Sequence, residues 1–175
     1  MAKCDIFISY NWDIKEQVKL LQNKLKSLGY SVWRDEEELS FADGLHSQLA
    51  EAIKNSKLVL VCLTQKYIAS ENCTKELQYA NLLKKPLSVL MIDHMKYEEM
   101  GGIGFIIGPL LRVNCYKNKS DWPDANLDEI VKSIKDNTRP VKDSNHKSVE
   151  DNSTSELFLA NFLLKFSFKN LILEI

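Results

Sequence analysis

Leu58–Leu63, the run LVLVCL, is apolar at every position and is the stretch of sequence that decides the fold. A strand with one face in water alternates apolar and polar residues, whereas a continuous apolar run needs cover on both faces. Such runs are typical of central strands in parallel sheets, where helices pack on either side. Four more short apolar runs predict four further strands: Ile6–Tyr10, Tyr30–Trp33, Leu87–Ile92 and Leu111–Cys115.

Segments with a helical spacing of apolar residues separate these runs. Gly29 is the predicted stop of the first helix, and residues 94–110 are predicted to be irregular. Alternating strands and helices predict an α/β flavodoxin-like fold, a five-stranded parallel sheet flanked by helices, with a strand order that the sequence does not give. The helices rest on these apolar positions: Ile14, Val18, Leu21, Leu25 and Leu28; Leu45, Leu49, Ala52 and Ile53; Leu77, Ala80 and Leu83 in a helix from Glu76; and Leu127, Ile130, Val131 and Ile134.

The chain is predicted to contain one folded domain, residues 1–138, followed by two segments of different character. Residues 139–156 are polar, with a proline and several Ser, Asp and Asn residues, and are predicted to be a linker. Residues 157–175 are strongly apolar but include Lys165 and Lys169, so their longest uncharged stretch is too short to span a bilayer. A docking helix, the start of a following segment and a membrane-surface helix all fit this last segment.

The composition is that of a globular protein of the cytoplasm. The chain has 23 basic and 24 acidic residues spread along its length, so neither nucleic acid nor an acidic membrane is an expected partner. The first residues lack the apolar segment of a secretory signal, and the four cysteines form no CxxC pair, which favours reduced thiols in the cytosol. No metal-ligand motif stands out, and no metal site is predicted.

Polar, aromatic and acidic residues follow the predicted strands. In an open parallel sheet, ligands bind beyond the carboxyl ends of the strands, so these residues are expected at one edge. Glu76 is predicted to open the helix that follows the third strand, and it therefore belongs to the same edge. The residues at the predicted strand ends are Ser9 and Tyr10; Trp33, Arg34 and Asp35; Thr64; and Asp93.

Four segments of the first domain, in their order and spacing, resemble the Toll/interleukin-1 receptor (TIR) domain family. They are Asp5–Tyr10 (DIFISY), Gly29–Asp35 (GYSVWRD), Leu39–Gly44 with the helix up to Ile53, and Ser70–Leu77 (SENCTKEL). The resemblance covers about residues 4 to 138 and implies the five-stranded parallel fold of that family. It also implies a signalling protein that self-assembles with other TIR domains. The main contact for assembly would be the loop after the second strand, with Glu36, Glu37, Glu38, Leu39, Asp43 and Gly44.

The pattern Ser70-x-x-Cys73-x-x-Glu76 is similar to the motif of TIR domains that hydrolyse NAD+. The resemblance implies that Glu76 is the catalytic residue. This sequence departs from the axon-degeneration TIR enzyme, which has a tryptophan four residues before the glutamate where Asn72 stands here. The residues that the resemblance and the strand ends together assign to substrate binding are Ser9, Tyr10, Trp12, Trp33, Arg34, Asp35, Ser70 and Cys73.

The reaction suits a site with one essential carboxylate. Nicotinamide leaves the ribose of NAD+ as a neutral molecule from a cationic ring, so its departure needs no general acid, unlike that of a sugar oxygen. A carboxylate near the ribose stabilises the oxocarbenium character that develops there. The aromatic faces of Trp33 and Tyr10 suit stacking on the cationic ring. NAD+ is then the substrate, no cofactor is expected, and the product is ADP-ribose or its cyclic form.

Other interpretations of the same residues stay open at this point. Glu76 near a helix start can serve the helix dipole alone, and Cys73 fits a packing role better than that of a nucleophile. Many TIR domains signal without measurable catalysis, so the alternative function is a non-catalytic adaptor that acts in signal transduction through homotypic binding. A two-component receiver domain shares the fold class, but its phosphoacceptor Asp would stand where this sequence has Leu63 and Thr64.

Overall fold

A parallel sheet forms the centre of the molecule in the computed structural model, which describes residues 4–34 and 45–138. Five strands in this part of the chain pair in the order β2-β1-β3-β4-β5, each parallel to its neighbours. The predicted five-stranded parallel sheet is therefore confirmed, with the run Leu58–Leu63 inside the central strand. The strands are β1 (Cys4–Tyr10), β2 (Val32–Arg34), β3 (Ser56–Leu63), β4 (Leu87–Met91) and β5 (Arg112–Val113).

Helices cover both faces of the sheet, as continuous apolar strands require. One face packs against α1 (Lys15–Ser27) and α6 (Leu127–Thr138) through a buried cluster that includes Leu21 and Ile130. The other face packs against α2 (Leu45–Asn55) and α4 (Glu71–Leu82), and its cluster includes Ile53 and Leu77. The described part also contains two short α-helices, α3 (Gln65–Ala69) and α5 (Gly104–Ile107).

The prediction that Glu76 opens a helix is wrong, because α4 begins at Glu71 and Glu76 lies near its middle. Ser70 ends α3 and caps α4, since its Oγ accepts the backbone N–H of Cys73 at 3.4 Å. The first turn of α4 is mostly polar, so the apolar period becomes visible only from Leu77. Because Glu76 does not lie at the start of a helix, the interpretation that it serves only the helix dipole is also wrong.

The prediction that residues 94–110 are irregular is wrong as well. A 3₁₀ helix spans Tyr97–Ile103 and α5 follows it directly. The two are held together by the Tyr97 hydroxyl, which donates to the carbonyl of Gly104 at 2.7 Å. Gly101 permits a bend inside the 3₁₀ segment with a φ of 54°, which lies in the left-handed region that favours glycine. Glycines that break the helical period hide such short helices from sequence patterns.

Three predicted segments lie outside the described residues: the assembly loop from Glu36 to Gly44, the linker 139–156 and the apolar segment 157–175. Asp35, which was predicted to bind substrate, also lies outside the described residues. Within residues 4–34 and 45–138, no helix is long and apolar enough to cross a membrane.

Candidate functional site

Glu76 meets Ser9 at the carboxyl end of β1. The side chain of Glu76 is half-buried, and its Oε2 accepts a hydrogen bond from Ser9 Oγ at 2.6 Å. Side chains alternate across a strand, so Ser9 and Phe7 both face the helices α2 and α4. The predicted convergence of Glu76 with the end of the first strand is present, although Glu76 arrives from the middle of α4 rather than from its start.

Tyr67 on α3 completes this polar group and was not predicted. Its hydroxyl lies 2.8 Å from Ser9 Oγ, and its side chain has no exposed surface. Burial, together with the nearby charge of Glu76, raises the pKa of Tyr67 well above its ordinary value. The one sequence signal for α3 was Thr64, whose Oγ1 accepts the backbone N–H of Tyr67 at 3.0 Å as an N-cap.

Cys73 lies one turn before Glu76 and faces the sheet. Its Sγ is 3.5 Å from the carbonyl oxygen of Tyr10, and only 5% of the residue is exposed. Burial raises the pKa of the Cys73 thiol to about 11, and the charge of Glu76 acts in the same direction. A thiol that stays protonated near pH 7 is a poor nucleophile, so the structure favours packing as the role of Cys73.

Trp33 lies on the same face of the sheet as Ser9. Its ring stacks on that of Phe7, with centroids 4.8 Å apart and an interplanar angle of 11°. Trp33 and Phe7 are paired across β1 and β2, and Ser9 is the next residue of β1 on that face. Trp33 is half-buried, so part of its surface is exposed.

Tyr10 and Arg34 lie on the opposite face of the sheet from Glu76. Arg34 Nε donates to Gln22 Oε1 at 2.6 Å, and its Nη1 donates to the Tyr10 hydroxyl at 3.4 Å. Both side chains are buried in the cluster between the sheet and α1 or at its border. Tyr10 and Trp33, whose rings are predicted to stack on the cationic ring of NAD+, thus lie on opposite faces of the sheet, because neighbouring residues of a strand point to opposite faces.

The loop after β1 carries Trp12, which is 52% exposed. The loop continues into a short 3₁₀ helix, Trp12–Ile14, that Asn11 caps by accepting the backbone N–H of Asp13 at 3.2 Å. The loop is also tied to α3, since Asn11 Nδ2 donates to the carbonyl of Lys66 at 3.4 Å and Lys66 forms an ion pair with Asp13. Trp12 thus projects from a segment that is anchored next to Tyr67.

A second polar recess lies at the carboxyl end of β4. It has a volume of about 450 Å³, and its lining includes neither Glu76 nor Ser9 and Tyr67. Asp93 accepts the backbone N–H of Gln65 at 3.0 Å and the ammonium of Lys119 at 2.5 Å. Burial alone would raise the pKa of Asp93, but these two contacts outweigh it and lower that pKa. Asp93 therefore links α3 to the 3₁₀ segment Cys115–Asp121, which follows β5.

Comparison with known proteins identifies the class of domain that this fold and edge define. Residues 6–131 match the family model of the TIR domain, and the chain belongs to that family. The fold is similar to the TIR domain of the Toll-related receptor TRR-2 from Hydra magnipapillata, with a TM-score of 0.60 and 16% identity over 76% of this chain and 99% of that one. It is also similar to a metazoan TIR-STING receptor from C. gigas, with a TM-score of 0.58 and 19% identity over 80% of this chain and 42% of that one. No curated protein matches the chain in sequence.

Proposed function

We propose that this TIR domain hydrolyses NAD+ to nicotinamide and an ADP-ribose product, with Glu76 as the catalytic residue. The observation that carries the proposal is the hydrogen bond of 2.6 Å between Glu76 and the buried Ser9, at the carboxyl end of β1. In an open sheet of order 2-1-3-4-5, the crevice between β1 and β3 is where ligands bind. The Ser70-x-x-Cys73-x-x-Glu76 pattern of NAD+-cleaving TIR domains gives independent support.

The chemistry requires little beyond a placed carboxylate and aromatic surfaces. The bond between the ribose anomeric carbon and the nicotinamide nitrogen breaks, and its electron pair leaves with the ring, which becomes neutral. The Glu76 carboxylate stabilises the positive charge that grows on the ribose. Water then attacks the anomeric carbon and loses a proton, or a nucleophile within the same molecule closes a cyclic product.

The residues around Glu76 take unequal parts in this proposal. Trp33 and Trp12 offer aromatic surface for the nicotinamide or adenine ring, because both are at least partly exposed. Ser9 supports Glu76 rather than the substrate, since its hydroxyl is already engaged and it has no exposed surface. Ser70 and Cys73 contribute by capping and packing α4, which sets the position of Glu76.

The test is nicotinamide release from NAD+ by the concentrated or surface-crowded protein, followed by chromatography. We expect Glu76→Gln to lower turnover at least about 100-fold, because the developing charge loses its counter-charge. The matched control is Glu71→Gln, which removes an exposed carboxylate from the first turn of the same helix and should retain turnover. Equal turnover by Glu76→Gln and the unaltered protein, or none from an assembled sample, contradicts the enzymatic proposal.

A second function is favoured by one departure from the enzyme pattern. Asn72 is exposed at the position where the axon-degeneration enzyme has a tryptophan. Without that aromatic surface, the domain would serve as an adaptor that binds other TIR domains, with the loop Glu36–Gly44 as its contact. Binding and catalysis do not exclude each other, because assembly of TIR domains can bring a cleft into its active form. Self-association that survives in Glu76→Gln is expected under both functions, so only turnover separates them.

A further inference from the structure

Three side chains from three elements form a hydrogen-bonded chain that ends on Glu76. Ser9 Oγ lies 2.8 Å from the Tyr67 hydroxyl and 2.6 Å from Glu76 Oε2. An ionised carboxylate can only accept, so the Ser9 proton points to Glu76. A hydroxyl has one proton, and Ser9 must therefore accept from Tyr67. The phenol is thus the donor at the start of the chain.

Tyr67 is held so that its hydroxyl keeps one position. The ring is fully buried in the apolar cluster beneath α4, and the backbone N–H is fixed by the side chain of Thr64. Burial and the charge of Glu76 raise the pKa of Tyr67 well above its usual value. The phenol therefore stays protonated near pH 7 and remains a donor there.

We propose that Tyr67 is a positioning residue for Glu76 and acts on it through the hydroxyl of Ser9. Each donor in such a chain polarises the next, so a charge on Glu76 strengthens both hydrogen bonds. The chain fixes Oε2 against the sheet and favours the ionised form of the carboxylate. The expected effect of Tyr67 on NAD+ turnover rests on the proposed function. Its expected effect on the ionisation of Glu76 does not.

The groups around Glu76 allow the effect of this chain to be isolated. The residue of β1 that contacts Glu76 is Ser9, which carries no charge. The charge of Glu76 raises the pKa of two neighbouring groups, the Tyr67 phenol on α3 and the Cys73 thiol on α4. Both have raised pKa values and are neutral below pH 8. Neither changes its charge where a carboxylate titrates, so removal of the Tyr67 hydroxyl takes away a hydrogen bond and no charge.

The test compares Tyr67→Phe, Ser9→Ala and a control in the full chain. The carboxyl carbon of Glu76 is followed by NMR in glutamate-labelled protein, and its signal is identified by its loss in Glu76→Gln. We expect the titration midpoint to rise by at least about 0.5 pH unit in Tyr67→Phe and further in Ser9→Ala, because each removes support from the ionised form. The control, Tyr30→Phe, removes a phenol hydroxyl on the opposite face of the sheet and should leave the midpoint unchanged.

NAD+ turnover is the second readout. In Tyr67→Phe the acid limb of the pH–rate profile should move to higher pH by the same amount, with kcat lowered several-fold and KM unchanged. An unchanged midpoint in both Tyr67→Phe and Ser9→Ala overturns the inference, even where turnover depends on Glu76. A raised midpoint in a protein without turnover supports the hydrogen-bonded chain and counts against the enzymatic proposal instead.

Discussion

Cys73 and Glu76 lie one helical turn apart on α4, yet their side chains enter different surroundings. Cys73 is buried against the backbone of β1, whereas Glu76 reaches the polar group at the strand end. The pKa of about 11 keeps the Cys73 thiol neutral, and its neutrality suits a position next to a carboxylate. The Ser-x-x-Cys-x-x-Glu pattern then has a structural meaning in this chain: a cap, a packing residue and a carboxylate on one side of a helix.

Replacing Cys73 by Ala is expected to affect stability more than activity. The free energy of unfolding should fall by about 1 kcal/mol, because a small buried side chain is shortened. Turnover should stay within about three-fold of the unaltered protein, since a protonated thiol takes no part in the reaction. Urea denaturation and nicotinamide release measure the two effects.

The control for this substitution is Cys62→Ala, which shortens a buried thiol on the opposite face of the sheet. Both variants should behave alike. A loss of turnover in Cys73→Ala comparable to that in Glu76→Gln would show that the thiol takes part in the chemistry and would overturn the packing assignment.

At the scale of elements, Asp5 ties the amino ends of three strands together. Its carboxylate accepts the backbone N–H and the hydroxyl of Ser31, each at 2.8 Å, just before β2. It also forms an ion pair of 2.7 Å with Lys57 on β3. The hydrogen bond from Lys57, followed by those from Ser31, lowers the pKa of Asp5 to about 2. Register at this edge of the sheet is thus fixed by one side chain.

Asp5→Asn is expected to lower the free energy of unfolding by about 1 kcal/mol near pH 7, since hydrogen bonds to a charged acceptor are lost. A carboxylate with a depressed folded pKa stabilises the fold above its unfolded pKa, and the effect disappears as the pH falls through the folded value. The difference between the variant and the unaltered protein should therefore shrink from about pH 4 to about pH 2. Urea denaturation at a series of pH values measures it.

The control is Asp124→Asn, whose ion pair with Lys24 is mostly exposed and should contribute little at any pH. A constant difference for Asp5→Asn between pH 7 and pH 2 would mean that the side-chain shape, rather than the charge, holds the strands.

The elements that sequence patterns identified are those with a long apolar period. β3 contains the continuous apolar run Leu58–Leu63, β4 is apolar except for Ser88, and α1 combines a regular period with a glycine stop. α3 was not predicted because five residues are too few to show a helical period of apolar residues. Its one sequence signal is the N-cap Thr64. The start of α4 was misplaced because its first turn faces solvent, apart from Cys73.

The part of the candidate site that follows from the topology of the sheet could be predicted from the sequence. Parallel strands place their carboxyl ends at one edge, which brought Ser9 and Glu76 together correctly. The contact of Ser9 with Tyr67 joins residues 58 positions apart and depends on the packing of α3, so no local pattern contains it. Tyr10 was misplaced for a reason that the sequence does contain, because a residue next to Ser9 in a strand must point to the other face.

At the scale of the whole molecule, self-assembly is the property on which both proposed functions depend. The acidic run Glu36–Glu38 follows β2 in the sequence, in the segment that the resemblance to the TIR family predicts as the assembly contact. Replacing these three residues by Lys reverses three charges and should weaken self-association at least about ten-fold, because an interface built for one sign of charge meets the other. Sedimentation over a range of protein concentrations measures it, in the full chain.

A matched variant separates a local effect of the loop from a general effect of charge. Replacing Glu16, Asp128 and Glu129 by Lys reverses the same number of charges at exposed positions on α1 and α6. If turnover requires assembly, the loop variant should lose NAD+ cleavage at low protein concentration and regain it when the domains are crowded on a surface. The matched variant should keep both properties. Association that survives the loop changes would remove that loop as the contact, whereas turnover lost with association intact would place the loop at the substrate.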